Sequence, residues 1–227
     1  MLELIIDNKS SADFGLCLAE TPSIPSPERD VERVPVRGRH GSLTKKYAYK
    51  DISFSVSLNL LEDDGIKDKL RYIRAWILNA KKLQLSDDSV FYRIKESNIP
   101  DIDNELNLLG KFEANFVADP FQFKESKIVT LNSPGKVLYS GTIESEPYIK
   151  IYGTGNGSLT FNSDVIHFQE ISEYIEIDCE NQQAFKGADP MNDKMIGEYP
   201  VLQIGMNDIS WTGGITKIEI DVREVYL

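Results

Sequence analysis

Two histidines and several adjacent carboxylates are the residues whose types could support catalysis or metal binding. His40 lies in a glycine-flanked turn and His167 in a predicted strand, and neither has partners at the spacing of a catalytic triad or a zinc site. A glycosidase needs two carboxylates that face each other across a cleft, which neighbours in sequence do not supply. We therefore predict no catalytic residue, no metal ligand and no enzymatic activity. The adjacent carboxylates, interpreted as solvated loops or helix caps, are Glu62, Asp63, Asp64, Asp87, Asp88, Asp101 and Asp103.

A glycine cluster, Gly153–Gly157, is the one segment that resembles a phosphate-binding loop. Such a loop needs Lys followed by Ser or Thr at its end and a helix after it. The segment that follows, Ser158–Phe161, has the pattern of a strand instead. The glycine cluster is therefore predicted to be a hairpin turn, and the sequence predicts no bound cofactor.

Trp211 is the only tryptophan in the second half of the chain and the one candidate sugar contact. Carbohydrate sites usually place an exposed aromatic ring against the sugar, and Trp211 lies beside Gly213 and Gly214. Packing in the core or in an interface is the alternative. The sequence favours packing, because a single aromatic residue on a sandwich fold makes only a weak case for sugar binding.

The composition is that of an ordinary folded protein, with 227 residues, 41% of them hydrophobic and 27% charged. The net charge of −11 argues against nucleic-acid binding, which needs clustered Lys and Arg. The apolar runs fall well short of the roughly 20 residues of a membrane span, so we predict no membrane insertion. Met1 is followed by Glu3 and Asp7 rather than by the segments of a signal peptide, so synthesis in a cytoplasm is expected.

The first half of the chain mixes strands with one helix. Apolar and polar residues alternate over Asp51–Leu61, which predicts a half-buried strand. The apolar residues from Ile66 to Ile77 then recur at the spacing of one helix face, with Asp63 or Asp64 as a candidate N-cap. The other predicted strands are Leu2–Asp7, Phe14–Ala19, Lys82–Leu85, Val90–Lys95 and Leu109–Ala118.

Three prolines, Pro22, Pro25 and Pro27, lie within six residues of each other. Proline lacks a backbone donor and does not fit a sheet interior, so this segment is predicted to be an extended, exposed loop. Its three prolines are candidate inter-subunit contacts. A tight turn is predicted shortly after it, at Arg37–Leu43, where two glycines allow positive φ.

The second half has a different pattern. Ten of the fifteen glycines lie beyond residue 130, and residues 126–227 carry a net charge of −8 against −3 for residues 1–125. Short alternating runs between glycine-rich turns predict an all-β sandwich. We therefore predict an α+β domain of residues 1–125 and a β-sandwich domain of residues 126–227. The runs are Tyr148–Tyr152, Ser158–Phe161, Val165–Phe168, Tyr174–Ile177, Val201–Ile204 and Thr216–Val222.

A set of short motifs occurs in a fixed order between residues 30 and 225. In this order and spacing, the chain resembles the distal tail protein (Dit) family, the tail-tip or baseplate hub of siphophages and prophages of Gram-positive bacteria. No single motif is specific, and the resemblance depends on the ordered set. The motifs are Arg37–Leu43, Ala118–Phe123, Gly141–Thr142, Ser145–Pro147, Ile149–Gly153, Ile175–Asp178, Gly197–Leu202 and Gly205–Ile209.

The resemblance implies a structural protein of the virion, made in the bacterial host cytoplasm and placed at the phage tail tip. It implies a homo-hexameric ring at the distal end of the tail tube. The N-terminal domain would form the ring in a fold related to tail-tube proteins, and the C-terminal domain would be a galectin-like sandwich. The implied partners are the tail tube protein on one side and a tail-associated lysin or tail fibre on the other, with receptor-binding proteins as a further connection.

A carbohydrate-binding module that acts in host-surface adhesion is the alternative function. The α+β domain of residues 1–125 argues against it, because a lone lectin has no use for such a domain. For the hub, an acidic or neutral channel lining is expected, because a basic lining would bind passing DNA. The hypothesis places the clusters Glu62–Asp64 and Asp87–Asp88 at the channel. The basic residues expected to face neighbouring subunits are Arg29, Arg33, Lys45 and Lys46.

Overall fold

The computed structural model describes residues 2–61, 66–100 and 111–227, with Ile66 and Lys67 described by their backbone alone. These residues form a mostly β structure with one α-helix, and they divide into two compact units. The first unit runs to Phe123 and also includes Leu227, and the second is Lys124–Tyr226. No helix in the described ranges is long and apolar enough to cross a membrane.

The first unit is built on an antiparallel sheet in the order β2-β1-β7-β8-β9-β6-β3. A 3-10 turn, Ser11–Phe14, precedes β3, and strands β4 and β5 form a separate two-stranded sheet. The elements are β1 (Leu4–Ile6), β2 (Lys9–Ser10), β3 (Leu16–Leu18), β4 (Arg29–Pro35), β5 (Ser42–Tyr49), β6 (Ile52–Leu60), α1 (Ile66–Leu78), β7 (Lys82–Leu85), β8 (Val90–Asn98) and β9 (Lys111–Lys124).

The core of the first unit lies between this sheet and α1. Strand β6 buries alternate residues against it, as its sequence pattern predicts, and α1 contributes Ile73 and Ile77, both fully buried. Trp76 donates a hydrogen bond from its indole nitrogen to the carbonyl of Ile6 at 3.2 Å, which fastens the helix to β1. The predicted strand and helix are confirmed. The candidate N-caps Asp63 and Asp64 lie outside the described residues.

Strand β9 extends further than its sequence suggests. Its pairing with β6 ends at Ala118, but the strand continues through Pro120 to Lys124. Burial alternates along β9 up to Ala118, is lost over the next four residues and resumes at Phe123, one residue out of phase. Such an irregularity is where a strand tolerates proline, since no ladder hydrogen bond from its nitrogen is needed there.

The second unit is an antiparallel sheet in the order β10-β17-β12-β13-β14-β15, with β11 against β17 and β16 against β13. Its only helical segment, over residues 124–227, is the 3-10 turn Asn192–Lys194. The strands of this sheet are β10 (Ile128–Leu131), β11 (Gly135–Tyr139), β12 (Tyr148–Phe161), β13 (Asp164–Asp178), β14 (Gln183–Lys186), β15 (Asp189–Pro190), β16 (Met195–Ile196) and β17 (Gly205–Asp221). The short last strand, β18 (Val225–Tyr226), is not part of it.

The predicted hairpin turn at Gly153–Gly157 is wrong. Strand β12 runs through this segment, and its register with both neighbouring strands shifts there. Position 153 requires glycine because the backbones of β12 and β17 approach closely there. A Cβ on Gly153 would overlap the carbonyl of Gly214 on β17. The residues on either side of the shift, such as Ile151 and Leu159, are buried in one core. A register shift of this kind bends a strand. Bends of this kind form the corners of sandwiches.

The segment before β17 also differs from its prediction. Val201–Ile204, predicted as a strand, contributes only a bridge from Leu202 to Ser145. The expected turn between strands at Gly205 and Asn207 is instead the beginning of β17. The side chain of Asn207 is fully buried, accepts a hydrogen bond from the backbone N–H of Gln203 at 2.8 Å and donates one to its carbonyl at 2.8 Å. A buried amide satisfied in this way fixes the loop without a tight turn.

Candidate assembly surface

Strands β4 and β5 form a hairpin that pairs with itself and with no other strand of the described chain. We call this hairpin, Arg29–Tyr49, the arm. Its turn contains Gly38 and Gly41, both at φ +79°, and the backbone N–H of Arg39 donates to the carbonyl of Val36 at 3.2 Å. The tight turn predicted from the glycines is confirmed.

The arm has no buried residue on either strand. All of β4 is exposed, and β5 is exposed up to its last residue, Tyr49. A two-stranded hairpin is at best marginally stable in water when nothing packs against it, and exposed apolar groups concentrated in one place mark interaction surfaces. The arm therefore has the features of a surface that a partner covers. Its exposed apolar residues are Val31, Val34, Val36, Leu43 and Tyr47, each 39–47% exposed.

One face of the arm is already ordered. Val34 and Leu43 are direct cross-strand partners and form its apolar centre. Beside them, the hydroxyl of Tyr47 donates to Glu32 at 2.5 Å, and the Lys45 ammonium lies 4.7 Å from the centre of the Tyr47 ring. Contacts of this kind hold side chains in place before a partner arrives, which lowers the entropic cost of binding.

The arm differs in charge from the rest of the chain. It carries six basic and two acidic residues, a net of +4, within a chain of net −11, so the remainder carries −15. A basic arm and an acidic body attract each other when they belong to different copies. A head-to-tail contact between identical subunits, in which one surface meets a different surface of the next copy, uses this asymmetry directly.

The fold matches that of a solved phage protein over its full length. The crystal structure of the SPP1 Dit (gp 19.1) protein, described as a paradigm of the hub adsorption apparatus in phages infecting Gram-positive bacteria, covers 100% of both chains with a TM-score of 0.71 and 13% identity. The fold of this chain is a Dit fold. The family resemblance inferred from the sequence motifs is thereby confirmed at the level of the fold.

Two structures of the phage p2 baseplate in its activated conformation, with Sr and with Ca, also match. They are 13% identical, cover 96% of this chain and 98% of theirs, and have TM-scores of 0.45 and 0.46. No protein-family model and no curated protein sequence matches the chain. At such low identity the Dit fold is recognisable from the structure and from the order of short motifs.

The structure places the three candidate contact prolines directly before the arm. Residues 21–28 have no regular secondary structure, as predicted, with Pro25 exposed and Pro22 and Pro27 half-buried. Ile24, between them, packs against the core of the first unit. The segment thus ties the base of the arm to its unit, and the contact role of the prolines stays a prediction.

Trp211 lies on the core side of β17. It is half-buried and packs against the core of the second unit, and its cross-strand partner on β12 is the buried Leu159. This is the packing arrangement that the sequence favours, and the sugar contact at Trp211 stays a prediction. The clearest feature of the molecule that sequence reasoning missed is the apolar centre of the arm, because the apolar residues of β4 lie three apart and lack the alternation of a strand.

The two histidines occupy different surroundings. His40 is exposed at the tip of the arm. His167 is exposed on β13, and its Nδ1 lies 2.8 Å from the hydroxyl of Ser158 on β12. Within the ranges that the structure describes, no group of three or more His, Cys, Asp or Glu side chains has the arrangement of a metal site.

Proposed function

We propose that this chain is a structural protein of a phage tail tip that assembles into a homo-hexameric hub ring at the distal end of the tail tube. The Dit fold over the full length supports the tail-tip role. The observation that carries the assembly is the arm, a fully exposed hairpin with an apolar centre and a charge opposite to that of the rest of the chain.

In the proposed ring, the arm of each subunit lies on the acidic surface of the next. Covering Val34 and Leu43 removes apolar surface from water, which is the main favourable contribution to most protein association. The basic side chains around them steer the approach. Arg29, Arg33, Lys45 and Lys46, the basic residues expected at subunit contacts, all lie on the arm, and Pro22–Pro27 lies at its base.

The two units have separate proposed roles. The first, residues 1–125 in the predicted division, is the ring-forming domain related to tail-tube folds. The second, residues 126–227, is a galectin-like sandwich that projects from the ring. The tail tube protein would meet one face of the ring and a tail-associated lysin or tail fibre the other, with receptor-binding proteins as a further connection. The protein would be made in the host cytoplasm and carried in the virion.

The channel is proposed to be neutral or acidic, so that DNA passes without being held. Asp87 and Asp88 are exposed in the turn between β7 and β8. Asp88 accepts the backbone N–H of Ser89 at 2.6 Å and of Val90 at 3.3 Å, so its carboxylate also holds the turn. Glu62–Asp64 lies outside the described residues. The proposal fails if Lys and Arg dominate the channel wall, or if both clusters lie on the outside of the ring.

Native mass spectrometry of the purified chain tests the proposal. Six copies of the 25.7 kDa chain give a particle of about 154 kDa, and negative-stain images should show a ring with a central hole. The adhesion-module alternative predicts a small particle of 25.7 kDa. A monomer at all concentrations would contradict the hub proposal.

A further inference from the structure

A shallow cavity of about 380 Å³ lies on the outer face of the second unit, where its long strands bend. Four side chains lie in a row across adjacent strands, because the register pairs Thr212 with Ser158, Ser158 with His167, and His167 with Ile196. Asn156 joins the lining at the register shift within β12. The volume is within the range of small-molecule sites in proteins.

Hydrogen bonds orient the polar side chains of this cavity, and these side chains keep further donors and acceptors for a ligand. The Ser158 hydroxyl and His167 Nδ1 lie 2.8 Å apart, which orients the imidazole ring. The side-chain carbonyl of Asn156 accepts the backbone N–H of Glu170 at 3.0 Å, which orients the amide. Within the described chain, His167 Nε2, the Asn156 amide nitrogen and the Thr212 hydroxyl have no hydrogen-bond partner. Several oriented donors and acceptors therefore converge on one opening.

The lining carries no Asp, Glu, Lys or Arg. A phosphate or carboxylate ligand is normally held by Arg or Lys, so an anion does not fit this cavity. Ser158 and His167 resemble a nucleophile and its base, but a working pair needs a third group that orients the histidine, and no carboxylate of the described chain contacts His167. The remaining chemistry is hydrogen bonding to a neutral ligand.

Ile196 adds an apolar wall to this polar row. It is 52% exposed and lies directly beside His167. A sugar ring presents hydroxyls along its edge and C–H groups on its face, so it matches a site that combines oriented polar groups with one apolar side chain. We propose that this cavity binds a neutral saccharide unit of a surface glycan. The site does not depend on ring formation, since every lining residue belongs to the second unit.

Saturation-transfer NMR with the full chain tests the proposal, with glucose, galactose and N-acetylglucosamine as neutral probes and glucuronate as the charged probe. At least one neutral sugar should receive saturation. His167→Ala should weaken its binding roughly three- to tenfold, the effect of one lost hydrogen bond. Thr212→Val, which removes the hydroxyl and keeps the shape of the side chain, should also weaken binding. His40→Ala removes the other histidine of the chain and should leave binding unchanged.

The outcomes separate this site from its competitors. No saturation of any neutral sugar, a preference for glucuronate, or equal losses with His167→Ala and His40→Ala would each overturn the proposal. A loss with Trp211→Phe but not with His167→Ala would move the sugar site to the tryptophan. Native masses of the same variants keep the two proposals apart, because His167→Ala should lose sugar binding while its oligomeric state stays that of the unaltered chain.

Discussion

The arm and the hairpin β12–β13 have the same hydrogen-bonding scheme and opposite surroundings. In β12 every second residue except Gly155 is buried, including Ile149, Ile151 and Phe161. In β4 no residue is buried, although its pairing with β5, like that of β12 with β13, is regular apart from one register shift. Backbone pairing is thus similar in the two hairpins, and only one of them has a core beneath it.

In the proposed hub, the two hairpins depend on different stages of assembly. Burial of apolar side chains supplies most of the favourable free energy of folding, so β12–β13 is stable within a single subunit. The arm obtains no such contribution from its own chain. We therefore expect the arm to be stabilised by subunit contacts, and substitutions in the two hairpins to separate folding from assembly.

A core substitution should give the largest effect on folding. Phe161→Ala removes a ring that is 1% exposed, and the cavity it leaves should cost about 3–5 kcal/mol of unfolding free energy. Leu43→Ala on the arm, at 47% exposure, should change the stability of the separated subunit by less than about 0.5 kcal/mol. Urea unfolding at a dilution where subunits are apart measures both. Comparable losses would mean that the arm has a core of its own.

A glycine substitution tests whether the bent strands depend on close approach of their backbones. A Cβ on Gly214 would overlap the carbonyl of Thr154, so Gly214→Ala should cost roughly 1–3 kcal/mol through overpacking. Gly135 on β11 is the matched control, because its Cβ would meet nothing closer than 3.6 Å. Gly135→Ala should be neutral or slightly stabilising, since alanine restricts the unfolded chain. Equal losses at both positions would show that the bend does not depend on close approach.

A half-buried ion pair in the second unit should make the stability of the fold depend on pH. Arg223 lies 2.7 Å from Asp178, with side-chain exposures of 21% and 15%. Burial alone would raise the pKa of Asp178, but the hydrogen bonds from Arg223 and Asn181 outweigh it and hold that pKa below its ordinary value. The pair therefore stabilises the fold above the unfolded-state pKa of aspartate, and this contribution is lost as the pH falls through the folded-state pKa.

Arg223→Gln should lower the unfolding free energy at pH 7 by about 1–2 kcal/mol, and the difference from the unaltered chain should shrink as the solution is acidified below the folded-state pKa of Asp178. Lys136→Gln is the control. Its partner Asp208 lies 2.9 Å away, but both side chains are more than 60% exposed, so this variant should differ little at any pH. A difference for Arg223→Gln that persists unchanged in acid would contradict the assignment to Asp178.

The sequence predicts those elements whose pattern is local. The helix face from Ile66 to Ile77 and the alternation over Ile52–Leu60 are repeated within a few residues, and Lys82–Leu85 has the bounds that were predicted. Local sequence does not predict the bend at Gly153–Gly157, because the group that requires glycine there, Gly214, lies about 60 residues away in sequence and is brought near only by the sheet.

In the candidate sites, too, the sequence predicts only those features that depend on local residues. Prolines and the glycine turn at Arg37–Leu43 place an exposed segment correctly, because both act through backbone geometry. The exposure of Val34 and Leu43 is a property of the folded chain, since the same residues would be a core pair if another strand lay over them. The cavity beside His167 is likewise formed by residues from β12, β13, β16 and β17, which no local pattern connects.

The native masses of two matched variants test whether the arm joins the subunits. Leu43→Asp puts a charge at the apolar centre of the arm, and Leu138→Asp puts the same charge on an exposed leucine of β11, at 58% exposure. If the arm joins the subunits of the proposed hexamer, Leu43→Asp should be a folded monomer and Leu138→Asp should remain a hexamer. A hexamer with Leu43→Asp, or dissociation with Leu138→Asp alone, would contradict the claim that the arm joins the subunits.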